Sequence, residues 1–550
     1  MKPIHSLGRA AAAVATVLAA PVAPALAQSS LPEVTPVVTT EHGDVQGFQD
    51  DGINAYLGLR YGKAPIGELR FMPPEEPEDW DGIYDATTLG APAMQMYTPS
   101  GPRTTDFTRQ IQSIFPTGGE SKIDNEDALF LNVWTPDTPT EDDEDTSGKR
   151  PVMVWFHGGG YAYGSGGWPA YDGRNLAEKG NVVVVTVNHR LNAFGYMYLG
   201  DRFGEKYAKS GNLGNLDLVA SLEWVRDNIE AFGGDPDNVT IMGESGGGSK
   251  VSHLLAMPAA DGLFHKAIIQ SGPGVTSGKR QDAIETAAMI LDEADINTEE
   301  ELRAIPAERL LAAARKVDAE LSTGSFGGGA QLGPIVDEVV LPRDPFMPTA
   351  PEQSKDIPVM IGWNKDEMTL FTASQPWFGQ LSQDNLERLA PSFGENGAAL
   401  VEHYTEEMEG DTPTYIAVRA MGARFMQGSF VLADQKARQN GAPVYMYWLT
   451  YETDTNNGIL RAPHTLDIPF MFDNAEESRI LVGSGDGPIK LADMMSDAWI
   501  SFARTGTPSS DQLPEWVAYT AEDRKVMKLD TDPAMVTEPE RGARRILSGG

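Results

Sequence analysis

Val239-Thr240-Ile241-Met242 runs directly into Gly243-Glu244-Ser245-Gly246-Gly247, the only G-x-S-x-G in the 550 residues. A short apolar run closing on glycines predicts a buried strand that turns sharply into a helix. At such a turn the serine backbone is strained, and glycines two residues to either side keep side chains off the neighbouring backbone. The Ser245 hydroxyl is then expected to stand exposed above the sheet. The next helix would aim its N-terminus at the reacting centre, where partial positive charge favours a developing oxyanion. Taken alone, the motif also fits a Gly-rich turn with an idle serine.

Upstream, residues 216–232 place Leu218, Leu222, Val225 and Ile229 on one helical face, and Gly233-Gly234 ends that helix before the strand. Further back, Pro151-Val152-Met153-Val154-Trp155-Phe156 and Val182-Val183-Val184-Val185-Thr186-Val187 are continuous apolar runs. Parallel strands covered by helices on both faces need such runs. Downstream, Ala267-Ile268-Ile269, Ile357-Pro358-Val359-Met360-Ile361 and Val444-Tyr445-Met446-Tyr447-Trp448 read as further buried strands, separated by helical stretches over 276–322 and roughly 383–440. Residues 34–135 are short β-rich runs cut by Gly and Pro, an antiparallel edge. The pattern predicts an α/β fold with a doubly wound, mostly parallel central sheet, helical insertions and an antiparallel N-terminal edge. No repeat or long linker divides it, so one large domain over 28–550 is expected.

His157-Gly158-Gly159-Gly160 closes the run 151–156. Three glycines let backbone approach a substrate carbonyl and aim amide donors at it. A phosphate-binding loop is the competing reading, but the Lys-Ser/Thr that should follow is missing. A Ser-acid-His chain order leaves only His403 and His464 as the base. His403 lies in an acidic helical stretch with the look of a solvated face. His464 lies in Arg461-Ala462-Pro463-His464-Thr465-Leu466-Asp467-Ile468-Pro469, a Pro-bracketed loop suited to delivering a side chain, and is preferred. For the acid, Asp366 and Glu367 follow the strand at 357–361 and spacing does not separate them. Asp337, after Pro334-Ile335-Val336, is a weaker third that fits a turn-fixing role.

Composition narrows the function classes. With 43 basic against 79 acidic residues the net charge is −36, a surface that repels phosphate backbones and anionic lipid, so no nucleic-acid partner is expected. The run Glu141-Asp142-Asp143-Glu144-Asp145 reads as a solvated loop. No cysteine is present, which removes thiol chemistry and Cys-ligated metal; no metal or organic cofactor is implied. Lys2 and Arg9, an apolar stretch over 10–22 and Ala25-Leu26-Ala27 read as an export signal cleaved after Ala27, which predicts a periplasmic or secreted protein. No segment approaches the roughly 20 continuous apolar residues of a membrane span.

The chain resembles the type B carboxylesterases, the family that also holds cholinesterases and non-catalytic adhesion proteins. The likeness lies in YLGLRYGKAPIGELRF (56–71), NEDALFLNVWTP (125–136), HGGGYAYGSG (157–166), FGGDPDNVTIMGESGGGS (232–249), LFHKAIIQSGP (263–273) and IPVMIGWNKDEMTLF (357–371), across nearly all of the chain after residue 27. The resemblance implies an α/β-hydrolase fold and a serine hydrolase that cleaves small carboxylic esters through an acyl-enzyme. It implies Ser245, Glu367 and His464 as the catalytic residues and Gly159, Gly160 and Gly246 as oxyanion donors. It further implies supporting roles for Glu244 and Ser271 in a polar network beneath the site.

Three departures stand out. Gly246 replaces the family's usual alanine after the nucleophile. Ala93 and Ala128 stand where two cysteines often close an early loop. No tryptophan lies between them, so the quaternary-ammonium substrates of cholinesterases are not expected. Two other functions fit the family outline: a binding or adhesion protein that has lost catalysis, and a lipase acting on aggregated fat. Trp168, Phe326, Phe371, Trp377 and Phe378 are candidate pocket-lining residues, or else core.

Overall fold

The structure, a computed structural model, describes residues 33–96, 115, 124–137, 148–322 and 329–549. The leader at 1–27, the acidic run 141–145 and Phe326 lie outside them.

Among the described residues, twelve strands form one sheet. They are β1 Glu33–Val34, β2 Phe48–Asp50, β3 Ile53–Arg60, β4 Phe130–Pro136, β5 Arg150–Phe156, β6 Val183–Val187, β7 Gly234–Glu244, β8 Lys266–Gln270, β9 Val359–Asn364, β10 Val444–Leu449, β11 Lys525–Leu529 and β12 Ala534–Thr537. Their order is β1-β2-β3-β4-β6-β5-β7-β8-β9-β10-β11-β12. From β6 to β11 every pairing is parallel, while β1 to β4, the β4–β6 pair and β11–β12 are antiparallel. This is the α/β-hydrolase architecture with the antiparallel N-terminal edge that the short, punctuated runs predict.

The central strands are mostly apolar through their middles because both faces are covered, and the period of two sends alternate side chains to opposite layers. Val152, Val154 and Phe156 of β5 join one core with Val239 and Ile241 of β7. Helices α1 (Leu213–Asn228), α2 (Gly246–Leu254) and α3 (Pro413–Ala437) seal that face. Met153 and Trp155 point the other way, with Met242, Ile268 and Met360, and are covered by α4 (Gly487–Thr505). The helical stretch at 276–322 resolves into Arg280–Glu293, Glu299–Ala304 and Ala307–Leu321, packed around a core of its own. The stretch at 383–440 reads as polar, yet α3 inside it buries much of its length.

Register positions the site. Phe156 pairs with Gly243, and Gln270 pairs with both Glu244 and Gly362. The loops leaving β5, β7, β8 and β9 therefore emerge level with one another at the carboxyl edge of the parallel strands, where ligands bind in open α/β sheets.

Candidate active site

Ser245 is the hinge between β7 and α2, with φ 57° and ψ −122°. A positive φ at a non-glycine residue is strained, and here the surroundings enforce it. The Ser245 N–H donates to the Gln270 carbonyl at 2.8 Å, and its carbonyl accepts the Ser249 N–H at 3.1 Å. A Cβ at Gly247 would fall 2.0 Å from the Phe156 oxygen, so the tight strand-to-helix turn exists only with glycine there. The serine itself is half-buried.

The His157–Gly160 loop folds over the start of α2, with positive φ of 82° at Gly159 and 61° at Gly160. A Cβ on Gly158 would lie 3.4 Å from the Ser245 Cβ, so this loop and the serine are immediate neighbours. The backbone N–H groups of Gly159, Gly160 and Gly246 donate to no group among the described residues. Main-chain donors are seldom left unpaired away from water, and Gly246 is buried, so an acceptor oxygen from outside the chain has a ready place.

His464 is carried by the loop before the short helix Asp467–Met471. Asn364 at the end of β9 ties this loop down, its amide donating to the Pro463 carbonyl at 2.8 Å. His464 Nδ1 lies 2.5 Å from Glu367 Oε2, and both residues are almost wholly buried. The other Glu367 oxygen accepts the Asn364 N–H at 2.8 Å, which fixes the carboxylate plane. A carboxylate at Nδ1 holds the ring proton there and leaves Nε2 as an acceptor. Nε2 makes no hydrogen bond among the described residues, although Glu244 Oε1 stands 3.1 Å from it, off hydrogen-bonding alignment.

Burial lowers the His464 pKa, but the carboxylates of Glu244 and Glu367 outweigh it and carry the ring up to about 9. Burial pushes Glu244 up to about 8 against the pull of His464. Phe371 and Phe425 flank the imidazole, each with its ring centroid 5.1 Å away.

The three residues that sequence leaves open as the acid now separate. Glu367 faces His464. Asp366 turns away, its carboxylate accepting the Ala462 N–H at 3.3 Å. Asp337 fixes a turn, taking the N–H groups of Val339, Val340 and Leu341 at 2.8–3.0 Å. His403 is remote in role as well as sequence, pairing with Glu407 one helical turn on at 2.7 Å. Ser271 is wholly buried at φ 47°, and its N–H donates to the Gly362 carbonyl at 2.9 Å while its hydroxyl has no partner among the described residues. Ala93 and Ala128 share a small buried cluster with Leu191, so apolar packing brings these two positions together.

Of the aromatic candidates, Phe371 touches the site, whereas Trp168 stacks on Tyr171 and Phe378 on Tyr415 in an edge contact. Trp377 packs against Phe378. Sequence reasoning missed Phe425, and it missed the support in which Gln270 and Tyr447 both donate to Asp467, at 2.9 and 2.7 Å. Asp467 stands in the same Pro-bracketed loop as His464, and that proximity was the available signal.

A profile described as the Carboxylesterase family matches residues 34–545. Para-nitrobenzyl esterase of Bacillus subtilis (strain 168) is 36% identical over 524 residues, covering 93% of this chain and 98% of the relative. Phenmedipham hydrolase of Pseudarthrobacter oxydans is 32% identical over 510 residues, covering 91% and 96%. A crystal structure of a carboxylesterase from Geobacillus stearothermophilus superposes with a TM-score of 0.77 at 39% identity, covering 93% of this chain and 99% of that one. An esterase from Clostridium hathewayi described as able to hydrolyse aliphatic aromatic polyesters gives 0.76 at 33% identity, covering 94% and 99%.

Proposed function

Since this chain belongs to the carboxylesterase family and is a carboxylic ester hydrolase, we propose that it works by two-step acyl transfer on Ser245. His464 Nε2 takes the hydroxyl proton as Ser245 Oγ attacks the ester carbonyl, and Glu367 holds the tautomer and stabilises the imidazolium. The N–H groups of Gly159, Gly160 and Gly246 receive the oxyanion. Alcohol departs with the proton from His464, leaving an acyl-enzyme. Water, deprotonated by the same nitrogen, then releases the acid. Glu244 tunes His464 from the Nε2 side, and Ser271 belongs to the polar floor beneath.

The observation that carries the reading is the strained Ser245 turn set beside three amides that have no acceptor among the described residues. The substrates are small esters, and an aromatic alcohol portion is favoured by Phe371 and Phe425 beside His464 and by a relative that takes its name from para-nitrobenzyl esters. Residues 1–27 act as a cleaved export signal ahead of a single unit over 28–550, a reading supported by the charge-apolar-small pattern; the mature chain would begin at Gln28.

Comparing the wild type with Ser245→Ala on aryl and alkyl esters of graded acyl length tests the mechanism. The variant should lose at least about 10⁴-fold in kcat, and an organophosphate should label the wild type once, on Ser245. Label on another residue, or hydrolysis surviving the substitution, contradicts the reading. N-terminal sequencing of the exported protein tests the leader.

A further inference from the structure

Lys250 is wholly buried on α2, one of the largest fully buried side chains in the protein. No carboxylate partners it among the described residues: its Nζ donates to the His157 carbonyl at 2.8 Å and sits 5.5 Å from the centroid of the Tyr161 ring. The charged or titratable neighbours are His157 and His189, stacked with centroids 4.8 Å apart, and the Tyr161 phenol. Burial first and Lys250 second push the pKa of both histidines well below the ordinary imidazole value. Burial alone brings the Lys250 pKa down to about 7, and neutral or charged the amine keeps an N–H for the carbonyl it faces.

A buried amine without a counter-charge is costly, so a good reason is needed for a lysine where a leucine would pack. The first turn of α2 supplies one. Residues 246–248 are all glycine, and the oxyanion loop lies directly on them: a Cβ on Gly246 would meet Gly160 backbone atoms at 2.3–2.6 Å, and one on Gly247 the His157 oxygen at 3.1 Å. Contact this close leaves no side chains to interdigitate and lock the loop in place. Residues 246, 247 and 250 share a helical face, and helical side chains lean toward the N-terminus, so the Lys250 stem runs back beneath the loop to its first carbonyl. A second tie comes from the neighbouring residue, where the Tyr161 hydroxyl donates to Ser249 Oγ at 2.7 Å.

We propose that Lys250 is a positioning residue for ester hydrolysis: by holding the His157 carbonyl from below, it sets the height and direction of the Gly159 and Gly160 amides over Ser245. The inference rests on the oxyanion role given to those amides above.

The test compares wild type, Lys250→Met and Lys250→Gln by kcat and KM per active site, counted from the acyl burst, together with the affinity of a trifluoromethyl ketone and its non-electrophilic methyl ketone analogue. Only the fluorinated ketone forms a tetrahedral oxyanion on serine. Lys250→Met should lower kcat about 10- to 100-fold with KM nearly unchanged. It should weaken the trifluoromethyl ketone by the same factor, spare the methyl ketone and leave the thermal midpoint equal or higher, while Lys250→Gln recovers part of the loss. A kcat per site within twofold of wild type, or a fallen kcat with trifluoromethyl ketone affinity intact, overturns the proposal. A wild type that itself binds both ketones equally overturns the oxyanion reading beneath it. Should neither variant fold, the ¹⁵N resonance of Lys250 Nζ in the wild type decides: it should move when the fluorinated ketone adduct forms, and a stationary signal overturns the proposal.

Discussion

His464 Nδ1 and Glu367 Oε2 stand 2.5 Å apart, while the carboxylate of Asp366, next door in the chain, reaches the Ala462 N–H instead. Two adjacent acids thus make different contacts: one meets the imidazole, the other the start of the loop that carries it. Asparagine keeps a side-chain oxygen that can accept the Ala462 N–H, so the tie to the loop can survive Asp366→Asn. Glu367→Gln should lower kcat by roughly 10³- to 10⁴-fold by losing the tautomer control, and Asp366→Asn should keep it within about tenfold. Steady-state kinetics on one activated ester separates the two; equal losses would mean that the acid has been misassigned.

The pH profile follows from the same ring. A protonated His464 cannot accept the serine proton, so activity is lost as pH falls through its pKa. That value is carried above 6.5, to about 9, and the acid limb of kcat/KM should lie above 6.5 rather than at the free-imidazole position. Glu244 and His464 face each other at 3.1 Å and titrate as a pair, so the limb belongs to both. Of the three carboxylates that raise the ring, Glu244, Glu367 and Asp467, Glu244→Gln removes the first and should move the limb to lower pH. A profile flat from pH 5 to 9, or a limb unmoved by the substitution, would count against this account.

How far the site could be read from sequence depended on whether each role leaves a local trace. Ser245 and the Gly159-Gly160 loop do, because a strained turn and a bare backbone need glycine at fixed offsets from a buried strand. His464 came out by elimination, since chain order removed its rivals and a Pro-bracketed loop suited it. The choice between Asp366 and Glu367 left none, for residues one apart differ only in which way a loop turns them, and there the family resemblance carried the argument. Phe425 sits on α3, a long helix whose burial comes from its packing against the sheet and which reads as polar by its ends. Lys250 was invisible for a related reason: a lysine on a helix is ordinarily solvated, and nothing nearby in sequence announces the carbonyl it serves.

Gly246, which departs from the family's alanine, is fitted to this chain's own loop. The atoms its absent Cβ would strike, at 2.3–2.6 Å, are backbone atoms of Gly160 and not a flexible side-chain tip. Gly246→Ala should therefore lift the oxyanion loop, lowering kcat by about tenfold or more and destabilising the fold by about 1–3 kcal/mol through overpacking. Kinetics and denaturant unfolding measure the two effects. An alanine variant equal to wild type in both would mean that the loop is free to yield.

The two phenyl rings beside His464 should behave differently despite equal centroid distances of 5.1 Å. Phe425 is buried in the core that seals the sheet, whereas Phe371 is half-buried at the edge of the same core. Truncating the first removes packing and support for the imidazole together, so Phe425→Ala should cost about 3–5 kcal/mol of stability and lower kcat on every ester alike. Truncating the second leaves the core largely intact and opens the wall that a substrate meets. Phe371→Ala should raise KM for aryl esters more than for short alkyl esters, with a small change in stability. A panel of both ester types, run beside thermal unfolding, distinguishes a wall from a support: a uniform kcat loss in Phe371→Ala would make Phe371 a second brace for the histidine and remove it from the binding surface.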